Sequence, residues 1–410
     1  MLKRIKLIAS GVISGALLPL AFAPYDLPYM AVIALVLFLF FLRPLNRLQS
    51  IKFGYAFGWG YFGHGVYWVY YSIHHFGHAP LWLAVIIMLG MVAILALYMA
   101  LLAYLLNRFF QHNAAVRYLL AFPALWVGLE ALRAVLFTGF PWLSLGYSQI
   151  DTWISAWGPI MGVLGMSWLI VLTTGVIAYA FNESETFARE SVFVRAPTVG
   201  ALGETKEAIK RSLQGVNGHF YPVFNAAIAE NGLAQRSQST IRYKFIASLL
   251  LIVIWPGSIL IGQIKWVEPL GEPIKVALLQ GNIPQDKKWR KSFRQVSLST
   301  YMTMSQQYRD ADLIIWPETA IPMFYHRVKD SFLPTLKREA ELYHSDIILG
   351  LPVMLDDGVG EYYNGLYSVR YPNQFYLKQH LVPLGEYLPL KPMSTILLNF
   401  LSIPMSDFSA

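Results

Sequence analysis

Asp312-Leu-Ile-Ile-Trp-Pro-Glu-Thr-Ala-Ile-Pro322 closes a short apolar strand on a single carboxylate, Glu318, set between Pro317 and Pro322. Proline has no amide hydrogen to give to a sheet, so ladder pairing stops on both sides of Glu318. The spacing predicts a strand end aimed at a cleft, where an acid or a base belongs.

Working outward from that strand, the sequence from Ile274 onward alternates short apolar runs with amphipathic ones. Ile274–Gln280, Leu313–Trp316, Ile347–Leu351, Leu366–Arg370 and Gln374–Lys378 read as strands. Trp289–Arg309 reads as a helix with Phe293, Val296, Tyr301, Met304 and Tyr308 on one side, and Phe332, Leu336, Ala340 and Tyr343 mark a second. This alternation predicts an α/β layered domain over 267–410. In a parallel-type sheet strand ends converge on the ligand crevice. Lys378 ends the last predicted strand and Glu386 follows in the next loop, so Glu318 and Lys378 form the first candidate pair. Spacing alone leaves an ordinary surface ion pair open as the other reading.

Upstream of Ile274 the chain changes character. Over all 410 residues, 56% are hydrophobic and 14% charged, and the mean hydropathy is +0.45. These values exclude an ordinary soluble protein of this length and predict a polytopic membrane protein. One apolar run follows Lys6 and a second, Met30–Leu42, comes at once after it, and further runs of the ~20 residues a bilayer requires lie near Phe53–Ile73, Leu81–Leu106, Val116–Phe137, Trp157–Phe181 and Phe245–Ile264. Residues 1–266 therefore read as a transmembrane domain of about seven spans. The first run ends Ala21-Phe22-Ala23 like a secretory leader, but Pro24 makes a poor cleavage site and favours an uncleaved helix.

The net charge of +8 does not indicate nucleic acid, because the basic residues fall in short clusters between apolar runs. Arg43, Arg47 and Lys52 occupy one loop, Arg108 and Arg117 another, and a polar loop at 182–242 carries Arg189, Arg195, Lys206, Lys210, Arg211 and Arg236. Ser72–Pro80 and Thr138–Ala156 contain no Lys or Arg. The positive-inside rule then places the N-terminus and the loop at 182–242 in the cytoplasm and everything after Ile264 outside it. The chain has no cysteine, hence no disulfide and no thiolate.

The motifs Ile314-Ile-Trp-Pro-Glu-Thr-Ala-Ile-Pro322 and Lys378-Gln-His-Leu-Val-Pro-Leu-Gly-Glu-Tyr-Leu-Pro389 resemble the signatures of the apolipoprotein N-acyltransferases, membrane-embedded members of the nitrilase (carbon-nitrogen hydrolase) superfamily. Further segments are similar: Ala23-Pro-Tyr-Asp26, Trp68-Val-Tyr70, Thr138-Gly-Phe-Pro-Trp-Leu143, Gly146-Tyr-Ser-Gln-Ile-Asp151, Pro159-Ile-Met-Gly162 and Gln280-Gly-Asn-Ile-Pro-Gln285. The resemblance implies a membrane bundle followed by a partial extracytoplasmic α-β-β-α sandwich on the periplasmic side of a bacterial inner membrane. It also implies a phospholipid acyl donor, a diacylglyceryl apolipoprotein acceptor and no cofactor. From the family's Glu-Lys-Cys triad it implies Glu318 as general base, Lys378 as the cation beside the tetrahedral intermediate, and Glu386 as a further active-site carboxylate. The expected route is ping-pong acyl transfer through a thioester. The nucleophilic cysteine and the final membrane helix of the family lie beyond the Lys378 loop and have no counterpart before Ala410. Since Ser406-Asp-Phe-Ser409 resembles the segment leading to that cysteine, an incomplete sequence is expected, with a pseudoenzyme or a nucleophile from a second chain as alternatives.

Phe140, Trp142 and Tyr147 in the uncharged loop, and Trp266 where the last span meets the second domain, read either as a general interfacial belt or, by the resemblance, as guides for acyl chains. Trp142, Tyr147 and Trp266 are the candidate substrate-binding residues. His74, His75 and His78 lack an accompanying carboxylate, so no metal site is expected. Glu130 and Arg133, at i,i+3 inside a span, are expected to pair with each other, the alternative being a lining for a lipid-headgroup path. The rival functions are a membrane-tethered amidase with the same Glu and Lys, and a non-catalytic lipid- or lipoprotein-binding protein.

Overall fold

A computed structural model describes residues 2–75, 79–136, 139–195, 245–246, 248–354, 362–372, 374–381 and 386. The backbone forms two compact units, Met1–Tyr67 with Met88–Ala134 and Pro141–Trp266, and Trp68–Ile87 with Val135–Phe140 and Val267–Ala410.

The first unit is helical. Helices α1 (Leu2–Leu17), α2 (Tyr29–Leu42) and α3 (Arg47–Gly65) begin the chain; α4 (Val69–His75) falls in the second unit, and α5 (Leu81–Phe109) belongs to the first from Met88 onward. A π-helical turn, Val116–Ala121, runs into α6 (Phe122–Val135), and α7 covers Gly158–Arg195. A further helix, α8, covers Ser248–Ile261. Among the described residues four helical segments are long and apolar enough to cross a membrane: Arg4–Ala21, Leu81–Phe109, Val116–Val135 and Trp153–Phe181. Tyr29–Leu42 and Ser248–Ile261 are apolar but shorter.

Two expected boundaries change. The run Phe53–Ile73 is not one helix: α3 ends at Gly65, where Val66 leaves helical geometry and caps Phe62. The polar segment expected to begin a loop at 182 continues α7 as far as Arg195, and 196–242 lies outside the described residues. Tight packing comes from small residues, which the periodicity reading did not use. A Cβ at Gly15 would sit 2.0 Å from the Phe57 carbonyl oxygen, and one at Gly60 2.1 Å from that of Val12. Only glycine allows α1 and α3 to approach this closely, and dispersion over that contact replaces the hydrophobic drive that lipid cannot supply. Phe38, Phe53, Phe57 and Phe122 fill the space beside it, with Phe38 4.7 Å from Phe57 and 6.2 Å from Phe122.

In the second unit, five strands form one sheet in the order β1 (Val276–Leu278), β2 (Leu313–Ile315), β3 (Asp346–Met354), β4 (Tyr362–Ser368), β5 (Phe375–Leu377). The sheet is mixed rather than parallel throughout: β1, β2 and β3 run parallel, and β4 and β5 return antiparallel. The strands after β3 are joined by short links, which suit antiparallel neighbours, whereas helices carry the crossovers between the first three.

Register fixes two faces. Ala277, Ile314, Ile347, Leu349, Leu351 and Tyr367 point into a core shared with helices α9 (Arg294–Gln307) and α10 (Leu333–Leu342). The face of α9 toward that core consists of Ser297, Leu298, Tyr301 and Ser305. Val296 and Tyr308, expected on the buried side, are 46% and 42% exposed. The hydroxyls replace them because Ser305 accepts a hydrogen bond from Trp316 Nε1 at 2.9 Å, so the buried indole satisfies its donor within the core. The other face carries the exposed Val276, Leu278, Leu366 and Tyr376.

Candidate active site

Glu318 reaches its position because the strand before it is anchored and the turn carrying it is docked. Trp316 is fully buried and stacks on Tyr301 at 5.1 Å. Its amide donates to Ile348 O at 2.8 Å, and the ladder then stops at Pro317. The turn is reversed by Thr319, whose φ of 50° lies in the left-handed region. Ala320 N then donates to Pro317 O at 3.1 Å and Ile321 N to Gly350 O at 3.2 Å. Gly350, in the middle of β3, is what lets this turn lie on the strand. A Cβ there would stand 2.6 Å from Thr319 N, 2.7 Å from Glu318 Cα and 2.7 Å from Pro317 O.

Lys378 arrives from the other side of the sheet. It directly follows β5, and its amide donates to Asn364 O at 2.9 Å. With β4 antiparallel and β5 reversed again, the C-terminal end of β5 lies at the same end of the sheet as that of β2. The side chains of Asn364 and Lys378 share the face that the helices leave open.

Four polar side chains meet there. Lys378 Nζ lies 2.8 Å from Glu386 Oε1 and 3.3 Å from Glu318 Oε1. Asn364 Nδ2 donates to Glu318 Oε1 and, at 3.3 Å, to Glu386 Oε1. The two carboxylates are thus bridged twice, once by an ammonium and once by an amide. They differ in access: the Glu318 side chain is 59% exposed and that of Glu386 13%. Glu386 holds the lysine, and Glu318 keeps a face open to a reactant. A fifth group, Lys288, donates from Nζ to the Glu318 main-chain oxygen at 3.2 Å.

The two lysines titrate in opposite senses. Burial lowers the Lys378 value, but its hydrogen bond to Glu386 and the charges of Glu318 and Glu386 outweigh burial, so the net shift is upward. For Lys288 burial dominates and the charge of Glu318 only partly opposes it, so its value falls.

The structure therefore brings Glu318, Lys378 and Glu386 together, and adds Asn364, Gly350 and Lys288, which the sequence reading passed over. Signals for the first two existed. An asparagine in an apolar strand is against composition, and a glycine in a strand interior marks a close backbone approach. Lys288 stands three residues past a motif already noted, Gln280–Gln285.

Trp142, Tyr147 and Trp266 belong to the first unit, where they are 47%, 53% and 46% exposed. Trp142 and Tyr147 flank a turn held from below by Glu130. That carboxylate accepts from Trp126 Nε1 at 3.0 Å, Ser167 Oγ at 2.8 Å and Leu145 N at 3.2 Å. Glu130 and Arg133 do not pair as expected. The Arg133 guanidinium lies over the Phe62 ring at 5.2 Å, and its Nε and Nη1 have no hydrogen-bond partner. Three neutral donors fill the Glu130 acceptor sites instead. His74 Nδ1 is taken up by Ala79 O at 2.8 Å, and His78 lies outside the described residues. Among the described residues no three His, Asp or Glu side chains gather as a metal ion requires. Ser406–Ser409 also lies outside them.

Comparison with known proteins adds the following. The family profile for the apolipoprotein N-acyltransferase N-terminal domain matches residues 14–176. An apolipoprotein N-acyltransferase of Methylococcus capsulatus is 35% identical over 97% of this chain and 67% of its own length. Proteins of the same name from Coxiella burnetii and Pseudomonas syringae are 34% and 33% identical, again over 97% of this chain, and over 70% and 68% of their own lengths.

Proposed function

The chain belongs to the apolipoprotein N-acyltransferase family, and from that membership we propose that it serves phospholipid-dependent N-acylation of apolipoproteins that begin with a diacylglyceryl-cysteine. The observation that carries the chemistry is the strand-end cluster, in which an exposed carboxylate stands 3.3 Å from an ammonium that a second, drier carboxylate holds at 2.8 Å.

In this reading Glu318 is the general base. A thiol titrates near about 8.5, so a base and a neighbouring cation are needed to form thiolate at neutral pH. The thiolate adds to an ester carbonyl of the phospholipid. Lys378 and nearby donors stabilise the oxyanion of the tetrahedral intermediate, the C–O bond breaks, and a lysophospholipid leaves with the proton. The α-amino group of the lipoprotein then adds to the thioester carbonyl, Glu318 takes the amine's proton, and the C–S bond breaks with the thiolate leaving as the amide forms. The 410 residues contain no cysteine, so this chain supplies the base, the cation and their supports.

The remaining parts of the reading follow the membrane setting. Seven spans with the N-terminus in the cytoplasm make 1–266 the membrane base and put residues 267–410, an α-β-β-α sandwich, on the periplasmic side of the inner membrane. Two substrates with lipid tails account for that base, and Trp142, Tyr147 and Trp266 guide their acyl chains. Phospholipid labelled in its acyl chain, offered to the full-length gene product in nanodiscs together with a diacylglyceryl lipopeptide, is expected to transfer label to the peptide amine. Hydrolysis of small amides without such transfer overturns the proposal in favour of an amidase.

A further inference from the structure

The polar cluster around Glu130 lies inside the helical unit and has no part in the chemistry above. It pins one short stretch of chain from four sides. Tyr61 Oη donates to Leu143 O at 2.6 Å. Glu130 Oε1 accepts from Leu145 N at 3.2 Å, and Ser167 Oγ accepts from Gly146 N at 2.8 Å while donating to Glu130 at 2.8 Å. Gly146 itself is pressed against α7, where a Cβ would meet Val163 O at 2.2 Å.

The stretch so held contains one residue in a disfavoured backbone conformation. Leu143 has a φ of 62°, in the left-handed region that leucine avoids. The residues that flank it, Trp142 and Tyr147, are 47% and 53% exposed. A carboxylate within an apolar span is costly, and here three donors satisfy it. Glu130, Leu145 and Ser167 are each 8% exposed or less, so water does not share these hydrogen bonds.

We propose that Glu130 is a positioning residue for acyl-chain binding: its carboxylate, with Ser167 as relay, fixes the Leu143–Gly146 turn and thereby the presentation of Trp142 and Tyr147 to lipid. This rests on the reading of those two aromatics as acyl-chain guides, and the test separates the two ideas.

The probe is a phospholipid with a diazirine in its acyl chain, doped into phosphatidylcholine nanodiscs containing the full-length protein. Hydrogen exchange at Leu145 and Gly146 is followed in parallel. Glu130→Ala is expected to speed exchange at both amides on the order of tenfold, as loss of one buried hydrogen bond predicts, and to lower photocrosslinking to the 139–149 peptide severalfold. Glu130→Gln, which keeps an acceptor for Leu145 N, should restore most of the crosslinking. Ser167→Ala should release Gly146 more than Leu145. If exchange at Leu145 and Gly146 is unchanged in Glu130→Ala, the clamp is wrong. If exchange rises but crosslinking equals wild type, Glu130 is structural only and the positioning role is refuted. Should Glu130→Ala unfold globally, Ser167→Ala and Glu130→Gln decide by the same two readouts. Trp142→Ala is the control: undiminished crosslinking there defeats the aromatic reading, whatever Glu130 does.

Discussion

Glu318 and Glu130 are both carboxylates supported by neighbouring elements, yet their surroundings are opposite. Glu318 is more than half exposed and faces an ammonium. Glu130 is buried and meets an indole, a hydroxyl and a main-chain amide, all neutral. The first arrangement leaves a lone pair free and a cation near any charge that develops, which is what proton transfer needs. The second uses up the acceptors on fixed donors, which is what holding a turn needs. A carboxylate's task is set by what its oxygens touch.

The sharpest way to break this contrast is to remove the reactive pair. In the full-length gene product, Glu318→Ala and Lys378→Ala are each expected to lower acyl transfer by roughly 10²–10⁴-fold, the range general acid–base catalysis supplies, while the protein still inserts and exchanges normally in its helical unit. Retention of transfer by either variant, measured with labelled phospholipid and lipopeptide, would refute the assignment. Next comes Gly350→Ala. Its Cβ would fall within 2.7 Å of three main-chain atoms of the Glu318 turn, so overpacking of about 1–3 kcal/mol is expected. Activity should fall with a lowered thermal midpoint, whereas Glu318→Ala, at a side chain that is 59% exposed, lowers activity with little change in that midpoint.

A smaller effect is expected for Glu386→Gln. The amide still accepts from Lys378 but removes the closer of its two negative charges, so transfer should drop by less than for Glu318→Ala. A drop as large as that of Glu318→Ala would mean that Glu386 is the base.

The smallest effect separates the two lysines by pH. Lys378 has a raised value in the folded protein, so its contribution to stability is complete below the ordinary lysine value of 10.5 and is lost as pH climbs through the raised one. Lys288 is shifted downward, so the folded state binds fewer protons there than the unfolded state does, and stability rises with pH through that lower value. Carbon-13 titration of lysine side chains should show Lys288 losing its proton first, and the reverse order would contradict the geometry of the cluster.

How much of this was legible in the sequence varies with the physics involved. The strand before Glu318 and the one before Lys378 were readable because proline, apolar runs and strand length act locally. That Glu318 and Lys378 meet depends on β4 and β5 folding back antiparallel, and no local signal sets that register. The buried face of the helix Arg294–Gln307 was misread because apolar periodicity counts Val296 and Tyr308 and overlooks serines. Ser305 lies inside because one indole needs an acceptor. Glu130 was recognised as unusual for its place in a span, but its partners Ser167 and Leu145 are 37 and 15 residues away in sequence. Charge suggested Arg133 instead.

Gly350 gives the cluster a form of fragility that functional groups do not reveal. It donates nothing to a reactant and holds no charge, and a survey of this chain for reactive side chains would pass it by. Yet the carboxylate sits where it does because one position on the adjacent strand carries a hydrogen in place of a carbon. Anyone transplanting this site to another scaffold must therefore carry over an empty volume as well as a set of side chains. A graft that copied Glu318, Lys378, Glu386 and Asn364 onto a strand with alanine at the Gly350 position would have all the right groups and the wrong distances.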